Sequence, residues 1–158
     1  VGVKFIFNVL REAGESELLY RMVTQRDFPG FAYWLEQGAN TLWQDWDGSM
    51  SLNHIMFATV NEWFFEAIAG IRIDEEQPGF AHFEVKPAFL EALQWATASH
   101  DSVRGTVASS WHREGGELTV RVTVPPNSSA TVHLPDADGA IIRHSVGPGA
   151  HAWHIEEL

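Results

Sequence analysis

Two neighbouring segments hold the side chains best suited to chemistry. Thr41-Leu42-Trp43-Gln44-Asp45-Trp46-Asp47-Gly48 is followed closely by Ser51-Leu52-Asn53-His54, so indole rings, side-chain amides, carboxylates and an imidazole fall within one short stretch. A pyranose offers an apolar ring face to an aromatic side chain and a rim of hydroxyls to polar ones, and this mixture suits it. The same residues also have a plain structural reading. In that reading Trp43 and Trp46 belong to a core, Asp45 and Asp47 are solvated loop charges, and His54 is a satisfied partner of a helix end.

The elements around these segments follow from hydrophobic spacing. Phe5, Ile6, Val9, Leu10 and Ala13 recur at helical intervals, predicting a helix over 3–13 that Gly14 ends as a C-cap. Ser16 is the expected cap of a second helix carrying Leu18, Leu19, Met22 and Val23, which runs to about Gln25 before Asp27-Phe28-Pro29-Gly30 breaks it. Residues 30–50 mix aromatic, glycine and acidic positions and read as loop or short helix. From Ser51 to Ala69 the spacing predicts the strongest helix, buried on most sides and closed by Gly70, with free N–H donors at its start near His54. The helical part wants more partners than it contains. The opening Val-Gly-Val-Lys-Phe also runs straight into helix-like sequence without a capping residue or initiator methionine, which suggests a start inside a longer polypeptide.

Past Asp74-Glu75-Glu76-Gln77-Pro78-Gly79 the period changes to two. Leu118, Val120, Val122 and Val124 alternate with Thr119, Arg121 and Thr123, and shorter runs recur at 80–86, 93–99, 103–112, 130–134 and 151–156. The expected class is therefore α plus β in separate segments, helices before Gln77 and an antiparallel β-sandwich after it. His100, His112, His133, His144, His151 and His154 are spread over the strands without paired ligand spacing and read as solvent-facing rather than as a metal site.

Composition narrows the function classes. A formal charge of −11 with no Lys/Arg patch argues against nucleic acid, and Asn61, Glu62 and Glu66 make the longest apolar stretch too polar to span a membrane. No basic-then-apolar signal segment opens the chain, and cysteine is absent, which rules out disulfides and thiolate metal sites. Nothing in the sequence calls for a cofactor. Seven Trp and ten Phe among 158 residues are the unusual feature.

The run from Gly30 to Trp43, then Trp46, Ser51-Leu52-Asn53-His54 and Ala69-Gly70-Ile71-Arg72, resembles the end of the bacterial α-L-rhamnosidases of glycoside hydrolase family 78. The likeness continues through Pro78-Gly79-Phe80, Val85-Lys86-Pro87, Leu118-Thr119-Val120 and Val124-Pro125-Pro126-Asn127, in family order. It implies that residues 1–77 are the last helices of an (α/α)6 catalytic barrel and that 78–158 form a C-terminal β-sandwich domain. The implied partners are a rhamnose-containing oligosaccharide or glycoside and the upstream part of the same polypeptide.

Hydrolysis in this family inverts the anomeric centre with one carboxylic acid and one carboxylate base. The resemblance places the acid in an earlier part of the barrel and the base at the glutamate of a Trp-Glu-x-Trp motif, where this chain has Gln44. A glutamine amide cannot accept a proton at neutral pH. Another carboxylate, with Glu36 and Asp45 (and Asp47 beside them) the local candidates, could serve; the chemistry could be altered; or sugar could be bound without cleavage. His54 matches a family histidine that contacts sugar, and Asn53, Trp43 and Trp46 are the neighbouring candidates for substrate binding. A non-catalytic carbohydrate-binding or structural module is the rival reading.

Overall fold

A computed structural model describes residues 2–136 and 138–156. Val1, Glu157 and Leu158, at the outer bounds of the two expected domains, lie outside the described residues. The chain divides into two units, Val1–Phe64 and Phe65–Leu158.

In the first unit, α1 (Gly2–Glu12), α2 (Ser16–Thr24) and α3 (Phe31–Glu36) fall where the breakers predict. Gly14 adopts the left-handed conformation expected of a C-cap (φ +80°). Ser16 is not the N-cap: that position is Glu15, without a side-chain cap bond, and Ser16 is buried as the first helical residue. The apolar stripe whose spacing predicts α1 is turned largely outward. Phe5 and Val9 are 66% and 63% exposed, and Phe7 instead is buried, edge-on to Phe31 and Trp63. Arg11 pairs with Glu62 at 2.9 Å, fixing α1 to α4 (Thr59–Trp63).

The long helix expected over 51–69 does not form as one piece. A 3₁₀ turn at Ile55–Phe57, α4 and a π-helical turn at Phe64–Ile68 replace it. Residues 51–54 spend their backbone groups elsewhere: His54 N–H donates to the Leu42 carbonyl and Gln44 N–H to the Ser51 carbonyl, both at 2.8 Å. These bonds hold 51–54 in the loop, and helical structure starts only after His54, whose backbone is extended (φ −144°, ψ 141°).

The second unit is two four-stranded sheets. One has the order β1 (Ile71–Ile73), β2 (His82–Val85), β6 (Ser129–Pro135), β7 (Ile141–Val146), and the other β3 (Trp95–Ser102), β4 (Gly105–Glu114), β5 (Glu117–Val124), β8 (Gly149–Glu156). All neighbours are antiparallel except β2 and β6, which run parallel from His82↔Ser129 to Val85↔Val132. β1 precedes the acidic turn and was not anticipated as a strand. Neither was β7, an edge strand with little buried on either face, so that its pairing with β6 and not a hydrophobic alternation defines it. The alternation in β5 is borne out: Leu118, Val120, Val122 and Val124 are all at most 2% exposed. His133 departs from the solvent-facing expectation, buried with Nε2 3.2 Å from Glu84 Oε1.

Buried side chains of β4 satisfy the backbone of 68–69 beside the sheet. Trp111 Nε1 donates to the Ile68 carbonyl at 2.8 Å and Ser109 Oγ to the Ala69 carbonyl at 2.7 Å, taking carbonyls that the end of a helix leaves unpaired. Gly70 then turns the chain with φ +84°, and a Cβ there would sit 2.3 Å from Pro87 N. No helix of the described residues is long and apolar enough to cross a membrane, which says nothing of a β-barrel.

Gly70→Ala meets both a positive φ and a backbone clash, so it is expected to destabilise the fold by about 2–4 kcal/mol. Denaturant unfolding monitored by far-UV circular dichroism checks this, and an unchanged midpoint would contradict the close approach.

Candidate functional site

The candidate residues sit on a closed loop between α3 and the 3₁₀ turn. Its two limbs, 41–44 and 51–54, are tied by the Leu42–His54 and Gln44–Ser51 backbone bonds and by Thr41 Oγ1 donating to the Leu52 carbonyl. Residues 44 and 54 therefore lie on adjacent limbs, although ten positions separate them in sequence.

Aromatic packing supports this loop. Trp34, Trp43 and Phe57 form a buried cluster with Phe31, Leu42 and Trp46 against it. The Trp46 ring lies 4.5 Å from Phe57, 4.8 Å from Trp34 and 5.2 Å from Phe31, and Trp34 Nε1 donates to the Trp46 carbonyl at 2.9 Å. Such ring pairs add about 0.5–1.5 kcal/mol each beyond their burial. Trp43 is only 9% exposed, and its ring fills the space over Gly48, where a Cβ would lie 2.8 Å from Trp43 Cζ3. Gly48 (φ +70°) is thus doubly required. Trp34 lies within the Gly30–Trp43 run but its supporting role has no local signal, and Phe57 stands out in the sequence only as one more aromatic residue.

The polar groups divide by partner. His54 Nδ1 accepts the Met56 N–H at 3.0 Å, capping the 3₁₀ turn, so the neutral ring carries its proton on Nε2 and offers a donor there. The helix-start donors expected near His54 are thereby partly consumed by its own ring. Asn53 is exposed, its N–H donating to Ser51 Oγ at 3.3 Å. Gln44 is partly buried beside these two limbs. Asp45 Oδ2 accepts from Ser49 Oγ at 2.9 Å, while its Oδ1 is buried and meets no donor among the described residues. Asp47 Oδ1 accepts the Ser49 N–H at 3.0 Å, and that bond is the main cause holding its carboxyl below the usual range. A carboxylate so stabilised is a weak base. Glu36 is placed apart from the loop, at the end of α3 in an exposed ion pair with Arg26 at 2.7 Å.

The structure thus brings together Trp43, Gln44, Asp45, Trp46, Asn53 and His54 on one loop and leaves Glu36 outside it. The arrangement offers hydrogen-bond donors and acceptors over an aromatic base, which is recognition chemistry more than proton abstraction. Among the described residues no group of three His, Asp or Glu side chains could hold a metal ion. A hollow of about 350 Å³ in this unit, lined by residues including Phe31, Trp34, Leu42, Val60 and Phe64, is mainly apolar and does not include Trp43, Gln44 or His54.

Comparison with known proteins also finds two successive segments. Residues 1–68 match the bacterial alpha-L-rhamnosidase 6 hairpin glycosidase domain and residues 70–147 the bacterial alpha-L-rhamnosidase C-terminal domain. An alpha-L-rhamnosidase of Formosa agariphila is 32% identical over 146 residues, covering 85% of this chain and 16% of the relative. One from Streptomyces avermitilis is 28% identical over 158 residues, covering 93% and 15%. Among solved structures, the alpha-L-rhamnosidase of Streptomyces avermitilis complexed with L-rhamnose superimposes with a TM-score of 0.89 at 26% identity, over 99% of this chain and 18% of that one. The alpha-L-rhamnosidase from Dictyoglumus thermophilum gives 0.86 at 30% identity, over 99% and 21%. The chain spans only about a sixth of the length of the curated relatives it matches.

Two outcomes test the loop. The titration midpoint of Asp47 in carboxyl-resolved NMR is expected below the usual 3.8. Its stabilising contribution is then complete above that value and is lost as pH falls through the lower folded midpoint. Ser49→Ala, which keeps the N–H, should raise the midpoint only part of the way. Separately, Gly48→Ala is expected to displace the Trp43 ring and cost about 1–3 kcal/mol in thermal or denaturant unfolding; near-UV circular dichroism unchanged from the parent would count against it.

Proposed function

Because the chain belongs to the bacterial α-L-rhamnosidase family, carrying six-hairpin glycosidase sequence followed by the C-terminal domain, we propose that it forms part of the −1 subsite of an inverting glycosidase acting on terminal α-L-rhamnosides. The observation that supports this reading is the pair of backbone bonds, Gln44 to Ser51 and His54 to Leu42, that ties the limbs carrying Gln44 and His54 into one closed loop. His54 Nε2–H, the Gln44 amide and Asn53 hold sugar hydroxyls, and Trp46 contributes what remains of its half-buried indole. Trp43 acts from beneath, as support. A named relative solved with L-rhamnose is consistent with that ligand.

The general acid comes from polypeptide outside these residues. The outward stripe of α1, with Phe5, Ile6, Val9 and Leu10 around a shallow apolar hollow, is the surface on which the rest of that polypeptide's helices pack. Gln44 stands where the base glutamate is expected and cannot take the water proton. Asp45, with one carboxylate oxygen lacking a donor, is the better placed local substitute, and Glu36 the poorer. The glutamine itself favours a second reading, in which the polypeptide binds rhamnosides without turning them over.

Assay against an aryl α-L-rhamnoside distinguishes these. The 158-residue chain alone is expected to show no turnover, and measurable hydrolysis by it would contradict an external acid. In the intact polypeptide, His54→Ala should weaken rhamnose binding about tenfold or more, corresponding to one or two lost polar contacts to a sugar hydroxyl. Gln44→Glu should raise the rate strongly if the site has lost its base. An active parent whose rate collapses in Asp45→Asn would instead assign the base to Asp45.

A further inference from the structure

The β3-β4-β5-β8 sheet carries a surface that the rhamnose-site reading does not use. Its inner residues, such as Val107, Trp111, Leu118 and Val120, are buried, so the alternate residues of each strand form the outer face. Register aligns Trp95, His112, Thr119 and His154 in one row across all four strands, and Thr97, Ser110, Arg121 and Ala152 in the next. With strands about 4.8 Å apart, His112, Thr97 and Ser110 are the outer-face positions nearest Trp95 in the register, and Arg121 lies one strand further. Trp95 is 62% exposed on an edge strand. His154 is engaged elsewhere, with Nδ1 2.9 Å from Glu117 Oε1.

We propose that this outer face is a second carbohydrate-binding platform, in which Trp95 stacks on one pyranose ring of a neutral polysaccharide and His112, Thr97, Ser110 and Arg121 meet the hydroxyls at its rim. The chemistry around the indole selects the occupant. A protein partner fills an aromatic anchor's surroundings with further apolar surface, whereas here hydroxyls, an imidazole and a guanidinium surround a single ring. Although the chain carries a net charge of −11, the Trp95 side of these two rows holds no carboxylate and Arg121 is their one permanent cation, while the Glu117 carboxylate reaches only the far end, at Thr119 and His154, a balance that suits an uncharged, hydroxyl-rich ligand. Acidic residues begin only in the row beyond, at Glu114, Glu117 and Glu156. A stacked ring with polar contacts at its rim serves to hold the polypeptide on a polymer, leaving the glycosidic bonds untouched.

Affinity electrophoresis of the intact polypeptide through gels containing a rhamnose-free neutral polysaccharide, a galactomannan or an unsubstituted glucan, tests the platform, with Trp95→Ala, Trp95→Phe and His54→Ala as variants. The parent should be retarded in at least one gel. Trp95→Ala should weaken that retardation at least fivefold with no change in melting temperature, Trp95→Phe should retain part of it, and His54→Ala should leave it intact. No retardation of the parent, or equal retardation of parent and Trp95→Ala, would overturn the proposal. Retardation lost in His54→Ala but kept in Trp95→Ala would also overturn it while supporting the loop as the sugar site, so the two readings fail separately.

Discussion

The candidate site depends on the contact between Trp34 and the loop it holds. The Trp34 indole donates to the Trp46 carbonyl and at the same time forms part of the surface on which Trp46, Trp43 and Phe57 pack. One side chain thus fixes a backbone position by hydrogen bond and the surrounding rings by close contact. A loop of this length would otherwise be held by few cross-links, since it contains no regular strand. With Trp34 in place, the bonds from Gln44 to Ser51 and from His54 to Leu42 close the limbs in one register. The polar residues then inherit a fixed spacing from an apolar support, as a binding site requires.

The chemistry available on that support is uneven. Donors and acceptors are plentiful, but each loop carboxylate is committed in a different way. Asp47 is stabilised in its charged form by a backbone N–H, Asp45 keeps one oxygen for Ser49, and Glu36 is paired with Arg26 away from the loop. Gln44 has the shape of a glutamate without its basicity. The loop is therefore rich in hydrogen-bonding groups and poor in carboxylates free to act as a base.

In the sheet unit, a comparable economy ties backbone to core. Trp111 and Ser109 face inward from β4, and their polar atoms are used by the carbonyls of Ile68 and Ala69, so burying them leaves no cost in unmet hydrogen bonds. Arg113 does the same at the surface edge, donating to the Leu90 and Phe89 carbonyls. These contacts explain how a chain segment without strand structure of its own, 86–94, is held in place. The opposite face of the same sheet carries Trp95, away from these contacts.

Much of this was legible in the residues. Breakers at Gly14, Pro29 and Gly70, the two-residue alternation of β5, and the Trp-rich motif are local signals, because backbone freedom and hydrophobic period act over a few positions. They carry the helix-then-sheet order, most strands, the family and the stretch that holds the candidate site residues. Tertiary structure alone decided the rest. The apolar spacing of 51–69 is as good for one helix as for three fragments, and only the long-range bonds to 42–44 take residues 51–54 out of it. Periodicity shows that α1 has an apolar stripe but not which side is covered, and Phe7 rather than Phe5 or Val9 became the buried residue. β1 and β7 exist through their partners, since pairing across a sheet leaves no mark in a strand that buries little. Whether Trp43 meets a ligand or supports those that do is likewise a matter of what stands above its ring, and Gly48 stands there.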